Sequence, residues 1–292
     1  MRRVGFISAA FATLYYDAFR AGMADLGYVE GQSFVFHTRF GEDLDVLAAA
    51  LVAEKPDLIV AAGGGAVRAV RKVPHSLPVV FSFSGDPVAA GFVKSLAQPG
   101  SNISGISLMS LDLVGKRMEL LRESVPQLRK VAILANAEHP GEQLERSTSI
   151  SSANALGVEH AYFQVQNPAE IDAALAAIAA SGAEAMVVFP DALTVAHRKR
   201  IADAALRARI AAISGWAEFA ESGFLMSYGP NLRVSYRRLA SFVDKVLKGT
   251  NPGALPVERP SVVEMIYNAR TAKALGREVP AAVVARADRV LQ

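Results

Sequence analysis

The sequence predicts an α/β protein built from two doubly wound parallel sheets. Short apolar, β-branched segments alternate along the chain with helical segments of about 10–15 residues, which is the pattern of βαβ units. About eleven strand segments can be identified, which is many for one open sheet and favours two smaller ones. The length of 292 residues is consistent with two such sheets, because it corresponds to about two domains at ~150 residues each.

The strands are predicted from unbroken apolar runs, because the strands of a parallel sheet are buried on both faces. The runs at 57–62 (Asp-Leu-Ile-Val-Ala-Ala) and 78–84 (Pro-Val-Val-Phe-Ser-Phe-Ser) are typical. The predicted strands cover residues 4–8, 33–40, 57–62, 78–84, 103–108, 130–135, 158–165, 185–190, 210–214, 223–227 and 262–268.

The helices are predicted from apolar residues that recur every three or four positions. In the first helix Phe19, Met23 and Leu26 share one face, and Gly27 ends the helix. Pro168 stands in the first turn of a later helix, where proline is favoured. The predicted helices cover residues 14–26, 44–54, 66–72, 113–125, 140–156, 168–180, 194–208 and 233–247.

The composition excludes several classes of protein. Hydrophobic residues make up 51% of the chain and charged residues 20%, which excludes global disorder. The net charge is only +3, without a cluster of five basic residues, so no nucleic-acid partner is expected. The absence of cysteine rules out disulfides, thiolate nucleophiles and cysteine metal sites.

No motif predicts a cofactor, a metal or a catalytic nucleophile. The five histidines show neither HxxxH nor HxH spacing, so no metal site is expected. The dinucleotide fingerprint GxGxxG, the P-loop and the GxSxG elbow do not occur in the sequence.

Two interpretations of the N-terminus are open. No apolar run reaches 18 residues, so no membrane-spanning helix is predicted. Met1, Arg2 and Arg3 lead directly into the first predicted strand, which is too short for the apolar region of a signal peptide. The protein is therefore either cytoplasmic, or it has lost a signal peptide.

Binding chemistry is predicted at the carboxyl ends of the strands, where open parallel sheets bind their ligands. Gly63 and Gly64 allow close approach to the backbone, and the amides that begin the next helix suit an anionic group. Asp191 suits an ammonium group, and Phe83, Trp216 and Tyr228 suit a ring. The other candidates are Ser8, Ala9, Ala10, Ser82, Ser84 and Asn136.

The same residues also have structural interpretations. The glycines at 63–65 are as consistent with an ordinary turn between strand and helix. Ser82 and Ser84 alternatively bond only the backbone, and Trp216 is as suited to core filling as to ring stacking. Asp191 is equally suited to capping the helix that follows it.

Several strings in the chain are characteristic of one family. They are Asp86-Pro87-Val88, Pro99-Gly100-Ser101-Asn102-Ile103-Ser104-Gly105, Lys116-Arg117-Met118-Glu119-Leu120-Leu121, Leu255-Pro256-Val257-Glu258 and Ala272-Lys273-Ala274-Leu275-Gly276. Over nearly its whole length the chain resembles the ABC-transporter substrate-binding proteins that include those for tryptophan and tyrosine uptake.

The resemblance implies a type I periplasmic-binding-protein fold with two α/β lobes and a hinge crossed three times. The crossings are expected near Leu108, Gly229 and Pro256, so that lobe 1 comprises residues 1–108 and 230–256 and lobe 2 comprises 109–229 and 257–292. The ligand is expected in the cleft between the lobes, which close on it by hinge motion.

The resemblance also implies the function and its partners. The leading hypothesis is a monomeric, periplasmic component of an ABC importer that binds an aromatic amino acid or related small aromatic acid. Its partners are then the small-molecule ligand, an ABC permease and the ATPase of that permease, without a cofactor. The alternatives are a ligand-sensing module of a membrane receptor and an importer component for a non-aromatic solute. An enzyme on the same fold is disfavoured, because no catalytic constellation is readable.

Overall fold

A computed structural model describes residues 1–9, 13–108 and 111–292 of the chain. It divides the chain into two compact units, and each unit is assembled from two separate segments. Unit 1 comprises Met1–Met109 and Leu232–Val262, and unit 2 comprises Ser110–Asn231 and Val263–Gln292. The chain therefore passes from one unit to the other three times. That the units act as closing lobes stays a prediction.

Helices and strands alternate through most of the chain. The strands are β1 (Arg2–Ser8), β2 (Phe34–Phe40), β3 (Leu58–Ala62), β4 (Val79–Phe83), β5 (Ile103–Ser107), β6 (Lys130–Asn136), β7 (Glu159–Val165), β8 (Ala185–Val188), β9 (Ala211–Ser214), β10 (Met226–Pro230), β11 (Val263–Asn268) and β12 (Arg289–Leu291). The helices are α1 (Thr13–Asp25), α2 (Leu44–Ala53), α3 (Gly64–Lys72), α4 (Leu111–Ser124), α5 (Glu142–Ala155), α6 (Ile171–Ala180), α7 (Ala192–Ala196), α8 (Arg198–Arg207), α9 (Ala217–Glu221), α10 (Leu232–Leu247), α11 (Ala269–Leu275) and α12 (Ala281–Val284). Within the described part of the chain, no helix is long and apolar enough to cross a membrane.

Unit 1 is a parallel sheet of five strands in the order β2-β1-β3-β4-β5, with helices on both faces. Helices α2 and α3 cover one face, where Leu51 and Val67 pack with Ile59 and Phe81 of the sheet. Helices α1 and α10 pack together on the other face, where the ring of Phe19 meets that of Phe6. The doubly wound arrangement is the reason that β3 is buried along its whole length.

Unit 2 is a sheet of seven strands in the order β12-β11-β10-β9-β8-β6-β7. Its strands are parallel except at the β10–β11 pair, which is antiparallel. Helices α4 and α5 cover one face through Met118, Leu121 and Ala153. The prediction of two doubly wound α/β sheets is confirmed, with one antiparallel pair that the apolar runs did not indicate.

Two predicted elements differ clearly from those observed, and several short elements were not predicted. The helix expected at 194–208 is two helices, α7 and α8, because His197 leaves helical backbone geometry with φ −104° and ψ 13°. The strand expected at 223–227 is β10, which begins three residues later at Met226. The short helix α9 was not predicted, and Gly223, with φ +116°, lies in the turn that separates it from β10. Helices α11 and α12 and strand β12 were also not predicted.

Candidate functional site

The serines at the carboxyl edge of the sheet in unit 1 are buried and hydrogen-bonded. The Oγ of Ser8 donates to the carbonyl oxygen of Ala62 at 3.0 Å, which joins the ends of β1 and β3. The Oγ of Ser82 donates to the Oη of Tyr236 at 2.8 Å. Both predicted hydroxyls therefore brace the edge of the sheet, and their contact with a ligand stays a prediction.

The turn at Gly63 exposes the backbone at this edge. Gly63 has φ +99°, a conformation that side chains disfavour, and no described atom lies within 4 Å of the position that a Cβ would take. Its N–H donates to the carbonyl oxygen of Ser82 at 2.8 Å, so the turn is held against β4. Helix α3 begins at Gly64, and the N–H groups of its first turn have no partner within the helix. Gly63 thus holds a fixed turn with open space beside its Cα, whereas Gly64 and Ala66 at the start of α3 are buried.

The structure places Phe83 in the core of unit 1. Its ring is fully buried and packs on Phe92 with a centroid distance of 4.9 Å. A Cβ on Gly85 would come within 2.2 Å of the Cζ of Phe83, so the ring fills the space next to this glycine. Ser84, half-buried, follows it at the edge of the sheet, as Ala9 does at the end of β1. Ring stacking by Phe83 stays a prediction, and Ala10 lies outside the described residues.

Two tyrosines at the edge of unit 1 were not predicted. The ring of Tyr236 stacks on that of Tyr15 at a centroid distance of 5.0 Å and an interplanar angle of 19°. Tyr236 belongs to α10 and reaches Ser82 from more than 150 residues away in sequence. Nothing local to either segment indicates this pairing, which the packing of α10 on the sheet creates.

The carboxyl edge of unit 2 brings two predicted residues together. Asp191 caps α7: its Oδ1 accepts from the backbone N–H of Thr194 at 2.8 Å and from the hydroxyl of Thr194 at 3.0 Å. Its Oδ2 accepts from the Nδ2 of Asn136, which stands at the end of β6. The capping interpretation of Asp191 is thus realised, and a contact of either residue with a ligand stays a prediction.

The two aromatic candidates of unit 2 differ in exposure. Trp216 precedes α9 in an extended conformation and is only 5% exposed. Tyr228 is partly exposed, and its ring packs against the core cluster on the α4 side of the sheet. Trp216 follows β9 and Tyr228 lies within β10, two residues before its end, so both stay candidates for contact with a ring.

A buried ion pair lies beneath this edge of unit 2. Arg117 of α4 and Glu145 of α5 are each 4% exposed, with 3.2 Å between Nη1 and Oε1. The Nε of Arg117 donates to the carbonyl oxygen of Tyr228 at 2.9 Å. A Cβ on Gly215 would lie 2.5 Å from the Nη2 of Arg117, so the guanidinium packs directly on the backbone there. The pair therefore joins two helices to the ends of β9 and β10.

Burial dominates the electrostatics of this pair. Burial raises the pKa of Glu145 to about 7, although Arg117 opposes the shift, and the charges of Asp191 and Glu142 add to it. Burial likewise lowers the pKa of Arg117. The attraction between the two groups thus does not fully offset the cost of removing them from water.

The sequence contains one signal for this buried pair. Val114, Arg117, Met118 and Leu121 recur at helical spacing, so Arg117 occupies a position within the apolar stripe of α4. A charged residue in an apolar stripe is rarely fully buried without a partner. The partner, Glu145, is not identifiable from sequence, because it depends on the packing of α4 on α5.

Comparison with known proteins identifies the class of this one. A family model described as ABC transporter substrate binding protein matches residues 4–291. The chain therefore belongs to the ABC transporter substrate-binding protein family. Proteins of this family bind small-molecule ligands and work with an ABC permease.

Individual relatives and structures are also similar to this chain. A tyrosine-binding protein of Clostridioides difficile is 25% identical over 262 residues, which cover 88% of this chain and 75% of the relative. A conserved domain protein from Vibrio cholerae superposes with a TM-score of 0.92 at 25% identity over 99% of both chains. An ABC domain from Streptococcus pneumonia in complex with L-Trp superposes with a TM-score of 0.93 at 21% identity, again over 99% of both chains. The fold is that of the type I periplasmic binding proteins.

Proposed function

We propose that this chain is the extracytoplasmic solute-binding component of an ABC importer and that its ligand is an aromatic amino acid or a related small aromatic acid. The observation that carries the proposal is the family match over residues 4–291. The similarity to a tyrosine-binding protein and to a structure that holds L-Trp supports the aromatic ligand class. The open backbone turn at Gly63 supports binding of a carboxylate group.

The proposed ligand contacts lie at the carboxyl edges of the two sheets. The amides that follow Gly63 receive the carboxylate of the ligand, since N–H groups at the start of a helix favour an anion. Tyr228 and Trp216 contact the aromatic ring. The remaining contacts come from the other predicted residues at the two edges, namely Ser8, Ala9, Ala10, Gly64, Ser82, Phe83, Ser84, Asn136 and Asp191.

The partners and the location follow from the same proposal. The protein acts as a monomer in the periplasm or another extracytoplasmic compartment, and it performs no catalysis. It delivers the ligand to the permease, and the ATPase of the transporter drives uptake. The two units close on the ligand, and the permease recognises the closed form in preference to the open form.

Thermal melting of the refolded chain tests this function. Unfolding and refolding removes any ligand carried through purification, and the panel contains L-Trp, L-Tyr, L-Phe and benzoate. A ligand at ~100 times its Kd stabilises the folded protein by about 2.7 kcal/mol, which raises the melting temperature by several degrees. If no aromatic compound raises the melting temperature but a sugar or an aliphatic amino acid does, the aromatic assignment is wrong.

A matched pair of glycine variants tests the proposed carboxylate contact. Gly63→Ala and Gly27→Ala each place a methyl group on backbone with positive φ and open space around it, so both cost some stability. Only Gly63 stands at the carboxyl edge of the sheet, whereas Gly27 follows the C-terminal end of α1 at the opposite edge. Gly63→Ala is expected to weaken ligand binding and Gly27→Ala is not. Equal affinities of the two variants would remove the turn from the site.

A further inference from the structure

The backbone pairing between β9 and β10 stops just before the two aromatic candidates of unit 2. Strand β10 pairs with β9 over two residues, and the last pair is Ser227 with Ser214. The next residues along the two strands, Tyr228 and Gly215, lie beyond this ladder, and Trp216 follows Gly215 directly. The relative position of these residues therefore depends on contacts other than the pairing of β9 with β10.

The guanidinium of Arg117 contacts both segments at this point. Its Nε donates to the carbonyl oxygen of Tyr228 at 2.9 Å. Its Nη2 lies against Gly215, where an added Cβ would come within 2.5 Å of this nitrogen. Its Nη1 is 3.2 Å from the Oε1 of Glu145 on α5. The three nitrogens of one side chain therefore contact three different segments of unit 2.

The backbone around the guanidinium leaves no room for a side chain. The Cβ position on Gly215 also lies 3.0 Å from the Cγ of Pro190, which follows β8. A Cβ on Gly229 would lie 1.9 Å from the carbonyl oxygen of Gly215. A shift of either strand end toward the other would therefore bring atoms into collision, because interiors are already close-packed.

An arginine suits this position better than a lysine. A guanidinium presents five N–H donors in a rigid planar fork, whereas an ammonium is a compact charge on a flexible stem. A lysine would thus keep a charge beside Glu145 without reproducing the contacts of the fork with Tyr228 and Gly215. A buried ion pair is also weak evidence for stability. The geometry that Arg117 imposes on the strand ends is therefore the better account of its burial.

We infer that Arg117 is a positioning residue of the ligand site: its guanidinium fixes the backbone of Tyr228 and of the Gly215–Trp216 turn, from which both aromatic side chains extend. The inference rests on the proposed function and goes beyond it, because it assigns a role to a buried residue that does not touch the ligand. Without the guanidinium, the ligand would have to order these segments as it binds, and this cost would lower the affinity.

Replacement of the ion pair by apolar side chains separates positioning from stability. Arg117→Met combined with Glu145→Leu removes both charges and retains a similar volume, so the melting temperature should equal or exceed that of the unmodified chain. In calorimetric titration of the refolded, full-length chain, the affinity for L-Trp and L-Tyr is expected to fall at least about tenfold. A purely structural role would leave the affinity of an equally stable variant unchanged.

The fluorescence of Trp216 provides a second readout that needs no ligand. Trp216 is the one tryptophan of the chain and is only 5% exposed. Once Gly215 is released from the guanidinium, the indole should become more accessible to solvent. We expect acrylamide to quench the emission of the double variant more strongly than that of the unmodified chain, with the emission maximum shifted to longer wavelength.

The matched control is Lys116→Met combined with Glu119→Leu. This ion pair lies on the same helix, with 2.7 Å between Nζ and Oε2, but both of its side chains are exposed. Its removal is expected to leave the affinity and the quenching unchanged. Arg117→Lys is a second test variant: it keeps the positive charge and loses the fork, so it should show the same two changes as the double variant.

Each other outcome has a definite meaning. The inference is overturned if both Arg117 variants bind L-Trp as tightly as the unmodified chain and their Trp216 is quenched no more strongly. If the double variant does not fold, Arg117→Lys decides by the same two measurements. If no aromatic compound binds the unmodified chain, the proposed function fails and quenching alone decides. Stronger quenching in the Arg117 variants would then retain the positioning of Trp216, and unchanged quenching would overturn it.

Discussion

Replacement of Glu145 should remove a specific pH dependence of stability. Its pKa is 4.5 when unperturbed and about 7 in the folded protein, because burial disfavours the carboxylate. Between these values the folded state binds more protons than the unfolded state, so stability falls as pH rises. This contribution is fully present below pH ~4.5 and is lost as pH rises through about 7.

The magnitude follows from the size of the shift. The pKa rises from 4.5 to about 7, and each unit corresponds to about 1.4 kcal/mol. Between pH 5 and pH 8.5, linkage gives a loss of roughly 2–3 kcal/mol in the free energy of unfolding from this group. Glu145→Gln lacks the titration and resembles the protonated form of Glu145, so its stability should lie nearest that of the unmodified chain at pH 5.

Urea denaturation at pH 5 and at pH 8.5 measures the effect. The fluorescence of Trp216, the one tryptophan of the chain, reports on unit 2. The difference in unfolding free energy between the unmodified chain and Glu145→Gln isolates Glu145 from the other titrating groups. The unfolding free energy of the unmodified chain, taken relative to that of Glu145→Gln, should fall by roughly 2–3 kcal/mol from pH 5 to pH 8.5. Glu159→Gln, at an exposed site in the same unit, is the control.

If the stability of the unmodified chain relative to Glu145→Gln instead rises from pH 5 to pH 8.5, this reasoning is refuted. It would mean that the attraction of Arg117 outweighs burial and lowers the pKa of Glu145 in the folded protein. A flat difference would mean that the two effects cancel. Either result would also contradict the interpretation that burial of Arg117 and Glu145 costs more free energy than their attraction recovers.

Two further predictions concern the same edge of unit 2. Gly229→Ala should destabilise unit 2 strongly, because the added Cβ would lie 1.9 Å from the carbonyl oxygen of Gly215; a melting temperature within a degree of the unmodified chain would contradict this packing. Asp191→Ala should lower the free energy of unfolding, measured by urea denaturation, by about 0.5–2 kcal/mol because the cap is lost. Asp191→Asn retains a capping side chain, so it should lower this free energy by less. Its affinity for L-Trp should change only a few-fold. A loss of 30-fold or more with Asp191→Asn would place the ammonium group of the ligand at Asp191.

Much of the fold was predictable because its signals are local. The apolar run at residues 58–62 and the spacing of Phe19 and Met23 indicate a strand and a helix through the periodicity of a few neighbouring residues. Short elements were missed for the same reason: α9 spans five residues and β12 three, too few to show a period. Strand β10 begins at Met226, three residues after the predicted start.

The candidate site was predictable only in outline. The rule that ligands bind at the carboxyl ends of parallel strands selects an edge of each sheet, including Gly63 and Asn136, and contact of these residues with a ligand stays a prediction. The rule is silent about residues that reach the edge from elsewhere. Tyr236 arrives from α10, and Glu264 arrives at the start of a strand because β11 runs antiparallel to β10.

The sequence by itself determined the class of fold, the order of most elements and the family to which the chain belongs. Those properties depend on apolar periodicity, turn residues and short strings, each contained within one segment of the chain. Only the tertiary structure decided which polar groups are buried together. The contacts between Arg117 and Glu145, and between Ser82 and Tyr236, join segments that are distant in sequence. Their partners are set by strand order, register and helix packing, and burial then decides which of their charges is stable.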